Sequence, residues 1–295
     1  ERVHEVADRI SFTPNSLARA MLAGQTGTVG LLAHDLDGRF SLPILMGAED
    51  AFGAGQMSVF LCDSRGDRIR EQYQLKALLG RRVDGIIVVG SQSDPRRTLG
   101  LDLPVPVVYA YAPSEDPQDS SVVVDDIAAG EMAAEHVIAR GRTRIAHIGG
   151  DINYAAARGR KLGISRALAA VNLTQVGVTR YGTWTESWGQ SGARSILETG
   201  DEVDAIICDS DQIARGALYE LQERRVRVPE DIAVIGFDNW IPFVTGSRPM
   251  LSSVDMHLQK MGQQAAQLMV SALAGKTQPG IISITPRVVI RESTT

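Results

Sequence analysis

Thr13-Pro14-Asn15-Ser16-Leu17-Ala18-Arg19-Ala20-Met21-Leu22, then the polar Ala23-Gly24-Gln25-Thr26-Gly27-Thr28, then Val29-Gly30-Leu31-Leu32-Ala33, is the stretch on which the reading of the fold turns. It holds a short helix, a linker and a strand. Pro14 suits the first turn of a helix, where its missing N–H would be unpaired anyway. Leu17, Ala18 and Met21 then share one face. The apolar run 29–33 reads as a buried strand, and the same run-then-helix pattern recurs along the rest of the chain.

Strand-like runs fall at 29–33, 58–62, 85–89, 105–110, 122–124, 145–148, 205–208 and 232–237. Amphipathic stretches at 44–52, 68–79, 130–139, 163–170, 191–197 and 212–224 separate them. Continuous apolar strands alternating with helices predict parallel sheets covered on both faces. There are more strands than one sheet usually carries, so the expectation is an α/β protein with two doubly wound lobes. Beyond 250 the pattern changes to an extended 251–255, a helix over 259–274 ending at Gly275, and short strands at 281–284 and 288–290 split by Pro286. A glycine just past a helix end is a normal terminator. At the other end, Val3, Val6, Ala7 and Ile10 share a helical face with no capping residue ahead, which reads as the tail of a preceding helical unit.

Composition excludes several classes. The chain has 295 residues, 44% hydrophobic and 22% charged, which is ordinary for a globular protein of two lobes. A net charge of −5 argues against a broad nucleic-acid-binding surface, though not against a small basic unit ahead of residue 1. Cys62 and Cys208 both sit in apolar runs and read as core residues of a protein from a reducing compartment. No apolar run is long enough for a membrane span, and no signal segment opens the chain. The expected location is the cytoplasm. A phosphate loop, His-Glu-x-x-His and Gly-x-Ser-x-Gly are all missing, and the five histidines are scattered, so neither an enzyme nor a cofactor or metal site is expected.

The hinge-like segment and several later motifs resemble the lactose-repressor (LacI/GalR) family of transcription regulators, and the resemblance spans the chain. Val228-Pro229-Glu230-Asp231-Ile232-Ala233-Val234-Ile235-Gly236-Phe237-Asp238-Asn239 matches a family signature ending in a carboxylate at a strand's C-terminal end. Ligands of open α/β sheets bind there, and Asp238 can accept from two sugar hydroxyls. Arg158-Gly159-Arg160-Lys161-Leu162-Gly163-Ile164 resembles the family's Arg-x-x-Gly-Phe run and matches Arg160 to its ligand-clamping arginine, with Arg158 the alternative. Trp184 in Gly182-Thr183-Trp184 takes an aromatic place that stacks on ligand, and Trp188 is read as core. In Cys208-Asp209-Ser210-Asp211, Ser210 takes the place of a ligand-binding Asn, and Asp211 is read as a helix cap. In Asp35-Leu36-Asp37-Gly38-Arg39-Phe40-Ser41, Phe40 keeps an aromatic place and Asp37 is a candidate acid. Gly38, Arg39 and Ser41 depart from the family pattern, which predicts a loosened pocket wall. Tyr111, with Tyr109, ends a strand of the same lobe as a weaker candidate.

The resemblance implies the periplasmic-binding-protein-like fold with three hinge crossings, near 124–125, 254–255 and 285–286. The implied divisions are a headpiece remnant and hinge helix over 1–26, one lobe of 27–124 plus 255–286, and a second of 125–254 plus 287–295. It implies a homodimer that binds operator DNA through the hinge helix, with Asn15, Ala18 and Arg19 near the groove and Met21 as the apolar wedge into a base step. The short helix, marginal alone, is expected to form on DNA. It also implies a small sugar-like effector between the lobes and a repressor of carbohydrate-use genes. A periplasmic sugar-binding protein shares the fold but would lack the hinge helix.

Overall fold

The computed structural model describes residues 25–35, 39–53, 57–100 and 102–295, together with Arg9. The hinge residues Asn15, Ala18, Arg19 and Met21, and Asp37, lie outside the described residues.

The first lobe is built on a six-stranded sheet of order β11-β5-β4-β3-β1-β2, parallel at every pairing. Its strands are β1 (Thr28–Ala33), β2 (Ser58–Asp63), β3 (Gly85–Val89), β4 (Val107–Ala110), β5 (Ser120–Val124) and β11 (Gly280–Ile284). The helices α1 (Ser41–Phe52) and α2 (Arg68–Gly80) follow β1 and β2. Side chains alternate across the sheet as a period of two requires. Val29, Leu31, Ala33, Ile87 and Val89 enter one core, while Leu32, Ile86, Val88 and Tyr109 enter another with Leu75 and Leu78 of α2.

The second lobe carries a second sheet of order β12-β10-β9-β8-β6-β7. Its strands are β6 (Ile145–Gly149), β7 (Arg180–Tyr181), β8 (Ala205–Cys208), β9 (Ala233–Phe237), β10 (Ser252–Asp255) and β12 (Arg287–Val289). Only β10 and β12 pair antiparallel. The helices are α3 (Asp126–Ala139), α4 (Ala155–Ala170), α5 (Glu186–Glu198), α6 (Asp211–Glu223) and the short α7 (Ile241–Val244). After β10 the chain returns as α8 (Leu258–Leu273), which packs on α1 and on β3, β4 and β5. It then adds β11 to the first sheet, β12 to the second, and ends in a 3-10 turn, Glu292–Thr294.

The expected strands and helices appear, with helix starts earlier than the apolar pattern suggested. The starts of α3 and α4 fall ahead of the apolar stripes read from the sequence, in short alanine-rich turns, and Asp125 caps α3 by accepting from the Ala128 amide. The two-residue β7 and the four-residue α7 were not read, being too short to show a period. Gly275 takes φ of 76° just past α8, as expected of a terminator.

Glycines set the helix spacing that holds the cleft walls. A Cβ on Gly163 of α4 would lie 2.0 Å from the Ile127 carbonyl oxygen, and one on Gly130 of α3 2.2 Å from that of Arg160. The pair α3 and α4 therefore cross backbone to backbone, which brings Asp126 and Arg160 together.

Candidate functional site

The C-terminal ends of both sheets face one another across a cleft. A cavity of about 190 Å³ lies between them. The first lobe lines it with Arg39, Phe40, Tyr111 and the loop 91–93, and the second with Tyr154, Ala156, Arg160, Trp184 and Asp238. Of the residues singled out from sequence, Phe40, Tyr111, Arg160, Trp184 and Asp238 converge here.

Arg160 is the largest fully buried side chain, at 1% exposure. A buried guanidinium needs partners. Its Nε donates to Asp126 Oδ1 at 3.0 Å, an Nη1 proton goes to the Asp209 carbonyl, and Nη2 lies 4.0 Å from Asp238 Oδ1. Burial works against its charge, but Asp126 and then Asp238 outweigh that and raise its pKa. Burial raises the Asp126 carboxyl, with Arg160 opposing. Phe237 and Trp184 cover the guanidinium at 4.7 and 5.9 Å. Two of its three nitrogens are thus held by its own lobe, and Nη2 alone remains toward the cleft beside Asp238. The fork onto two ligand oxygens expected of Arg160 is narrowed to that one nitrogen.

Asp238 follows β9 with φ of 98°, and Tyr111 follows β4 with φ of 71°. Both are unusual for residues with a Cβ, and such conformations gather at functional sites. Each is held by its backbone: Asp238 N donates to Val254 O and Tyr111 N to Val122 O, both at 2.9 Å. Tyr111 stacks on Phe40 at 4.4 Å between centroids, and burial pushes its phenol pKa up. Opposite, Tyr154 tilts against Trp184 at 5.6 Å. Trp184 Nε1 and Asp238 Oδ1 are buried without a hydrogen-bond partner among the described residues. The cavity is therefore lined by aromatic side chains of both lobes together with Arg160 and Asp238, and two of its lining residues carry buried polar atoms without partners.

Several residues stand elsewhere. Ser210 is fully buried and caps α6, its hydroxyl accepting from the Ile213 amide at 3.2 Å. It does not line the cavity, a correction to its expected ligand contact: the serine Oγ is short and already committed to the helix end. That cap displaces the one expected of Asp211. The Asp211 carboxylate instead accepts from Ser253 Oγ at 2.6 Å and Trp240 N at 2.7 Å, fastening α6 to the loop after Asp238. Burial raises its pKa, and the neighbouring charge of Asp238 adds to the rise. Arg158 is half exposed on Asp94 and the carbonyls of Ile152 and Asn153. Tyr109 is core, its hydroxyl accepting from Leu99 N. Trp188 packs against the second-lobe core and donates to Gly149 O at 2.9 Å.

Sequence reasoning missed Arg39, Asp126 and Tyr154. Arg39 was read only as a departure that loosens the wall. It instead crosses the cleft, donating to Asp238 Oδ2 and, at 3.2 Å, to Gln212 Oε1. The wall is tied across rather than loosened. A second bridge uses Asp94, which accepts from the Ala155 amide at the start of α4 and pairs with Arg158 at 3.1 Å. Asp126 carried a signal, an acid in the first turn of a helix, but one that reads as capping.

A larger cavity of about 540 Å³ opens within the first lobe. Its buried charges satisfy one another. Glu71 accepts from His34 Nε2 at 2.5 Å and Arg96 at 2.7 Å, and His34 Nδ1 lies 2.9 Å from Val89 O. Burial would raise the Glu71 pKa, but these two bonds outweigh it and hold it at about 2. The interlobe cavity instead draws on both lobes.

Comparison with known proteins agrees. Residues 134–294 match the periplasmic binding protein-like domain. Catabolite control protein A of Staphylococcus epidermidis is 30% identical over 270 residues, covering 91% of this chain and 81% of that protein. The HTH-type transcriptional repressor PurR of Aliivibrio salmonicida is 27% identical over 299 residues, covering 99% and 89%. The structure of the transcriptional regulator CelR in complex with cellobiose superposes with a TM-score of 0.74 at 27% identity, covering 99% of this chain and 89% of that one. On these likenesses and its own hinge-like segment and cleft, the chain belongs to the LacI family of effector-responsive transcriptional regulators.

Proposed function

We propose that the cavity between Arg160 and Asp238 receives a small sugar-like effector that controls binding to operator DNA. The observation that supports this most is the convergence of aromatic side chains of both lobes with Arg160 and the Asp238 carboxylate on one chamber. Aromatic faces suit the C–H face of a pyranose and also a purine ring. CelR is solved with cellobiose, and the aromatic faces also suit a purine, so both ligand classes belong in the test. Asp238 accepts from ligand hydroxyls, Arg160 Nη2 donates, and Trp184 and Phe40 sandwich the ring. Ser210 acts behind this wall, and Asp37 is kept as a candidate effector contact. We take the lobes as 27–124 plus 255–286 and 125–254 plus 287–295, with 1–26 as headpiece remnant and hinge.

The working unit is a homodimer in the cytoplasm. The first lobe supports this: β2 is an edge strand, and Phe60 and Leu61 on it are exposed beside Leu42 and Met46 of α1 and Ile69 and Tyr73 of α2. Long apolar edges are normally covered, and a second copy would do so. Effector binding shifts the first lobes of the pair and so the spacing of the hinge helices, where Met21 wedges into a base step and Asn15, Ala18 and Arg19 line the groove. This couples cleft to operator, and the regulated genes serve carbohydrate use.

Thermal unfolding against a panel of D-glucose, D-galactose, D-xylose, D-ribose, cellobiose, glucose 6-phosphate, hypoxanthine and guanine tests the reading. A ligand at 100 times its dissociation constant adds about 2.7 kcal/mol, a rise of a few degrees. One sugar should raise the melting point in the wild type and fail to do so in Asp238→Ala. A ligand that stabilises both proteins equally would refute the assignment.

A further inference from the structure

We propose that Arg39 is a specificity-determining partition: its bond to Asp238 walls the effector chamber off from the rest of the interlobe space and ties the two lobes together. The part about the effector rests on the reading above; the tie between the lobes does not.

Arg39 lines three separate cavities, of about 190, 600 and 250 Å³, and Asp238 lines the first two of them. Arg39 is the wall all three share, and its bond to Asp238 separates the first two. The larger space runs past Asn239 and Trp240 toward His257 and Gln259 of the hinge side, and the third lies under Asp35 and Gln212. With the guanidinium in place, the chamber beside Trp184 has room for about a single ring. Without it, nothing of Arg39 would separate the three spaces, and the chamber would open toward its neighbours.

The side chain is set for this task. Its loop is anchored at the base, where the Phe40 amide donates to Asp35 Oδ2 at 3.1 Å and Ser41 Oγ to the Asp35 carbonyl at 2.7 Å. The guanidinium is 4.9 Å from the Phe40 ring and 5.9 Å from that of Trp240, so it leaves water for aromatic faces on both lobes. At 13% and 3% side-chain exposure, the Arg39 and Asp238 charges are poorly screened. Charge-assisted bonds in such surroundings are the strong ones. Arg160 cannot substitute, since Asp126 and the Asp209 carbonyl hold it inside the second lobe. Arg39 therefore takes up Asp238 Oδ2, and an effector that uses both carboxylate oxygens must first displace it.

The test needs no ligand. Trp188→Phe and Trp240→Phe leave Trp184 as the one tryptophan of the chain, and its fluorescence is quenched with acrylamide in the effector-free protein. Losing the charge-assisted bond in Arg39→Ala should shift the equilibrium toward parted lobes on the order of tenfold, read as a rise in the quenching constant of Trp184. Asp238→Asn should give a rise no larger than that of Arg39→Ala, which also loses the bond to Gln212, and the double variant no more than Arg39→Ala alone, because both break the same contact. A melting curve confirms that each variant folds. A quenching constant unchanged in Arg39→Ala, or rises that add in the double variant, would overturn the proposal. Because no effector is present, that failure would leave the ligand reading untouched.

Discussion

The two walls of the cleft are built differently. The second-lobe wall is made of strand ends and long helices: Arg160 is fixed on α4 by Asp126 of α3 and by the backbone after β8, under Phe237 and Trp184. The first-lobe wall is made of loops, with Arg39 and Phe40 between β1 and α1 and residues 91–93 after β3. The second wall is complete without its partner. The first is finished by reaching across, through Arg39 to Asp238 and through Asp94 to the start of α4. Rigid elements hold the recognition groups in place, and loops carry the variable part.

The largest effect expected of this contrast is on the rigid wall. Asp126→Ala leaves the Arg160 guanidinium buried without its main carboxylate, and the lost stability should be about 3–5 kcal/mol by urea unfolding. A loss near that of an exposed pair would mean that the wall is less fixed than its geometry. Gly163→Ala comes next. Its Cβ would fall 2.0 Å from Ile127 O, forcing α3 and α4 apart, and overpacking of this kind costs about 1–3 kcal/mol. Unfolding curves measure the loss, and ligand affinity should fall with it because Asp126 and Arg160 separate.

The loop wall should respond more mildly. Glu71 braces it through His34 at the end of β1 and Arg96 beyond β3. Its carboxyl drops from an ordinary value of 4.5 to about 2, so its contribution is full above pH 4.5 and is lost as the pH falls through 2. Glu71→Gln should flatten the stability profile across that window and cost about 1 kcal/mol at neutral pH, after solvent screening. A wild-type profile already flat there would deny the triad its role. Smallest of all, Phe40→Ala removes the stack on Tyr111 and should cost about 0.5–1.5 kcal/mol in unfolding curves, while a calorimetric titration shows weaker effector binding as an aromatic face is lost from the chamber.

The same contrast explains what could be read from the sequence. The alternation of apolar runs and helices made an α/β protein with two sheets legible, because each element carries its own period. The rigid wall was legible too: Arg160, Trp184 and Asp238 stand in local motifs at the ends of regular elements. Arg39 was not. Its partner lies 199 positions away on the other lobe, and no local pattern encodes a bond between two lobes. The cap fell to Ser210 rather than Asp211 for a related reason. Both residue types cap helices, and only the packing of Trp240 and Ser253 against Asp211 decides which one does. Tyr154 and Asp126, ordinary at helix starts, gain their meaning from what the fold sets beside them.

The central claim is that Asp238 and Arg160 face the effector. Calorimetric titration of wild type and Asp238→Asn with the sugar that stabilises the wild type tests it most directly. The account predicts a single site per chain in the wild type and affinity reduced at least tenfold in the variant, the effect of losing one charged acceptor. Equal affinity in the two proteins would place the effector elsewhere and contradict it.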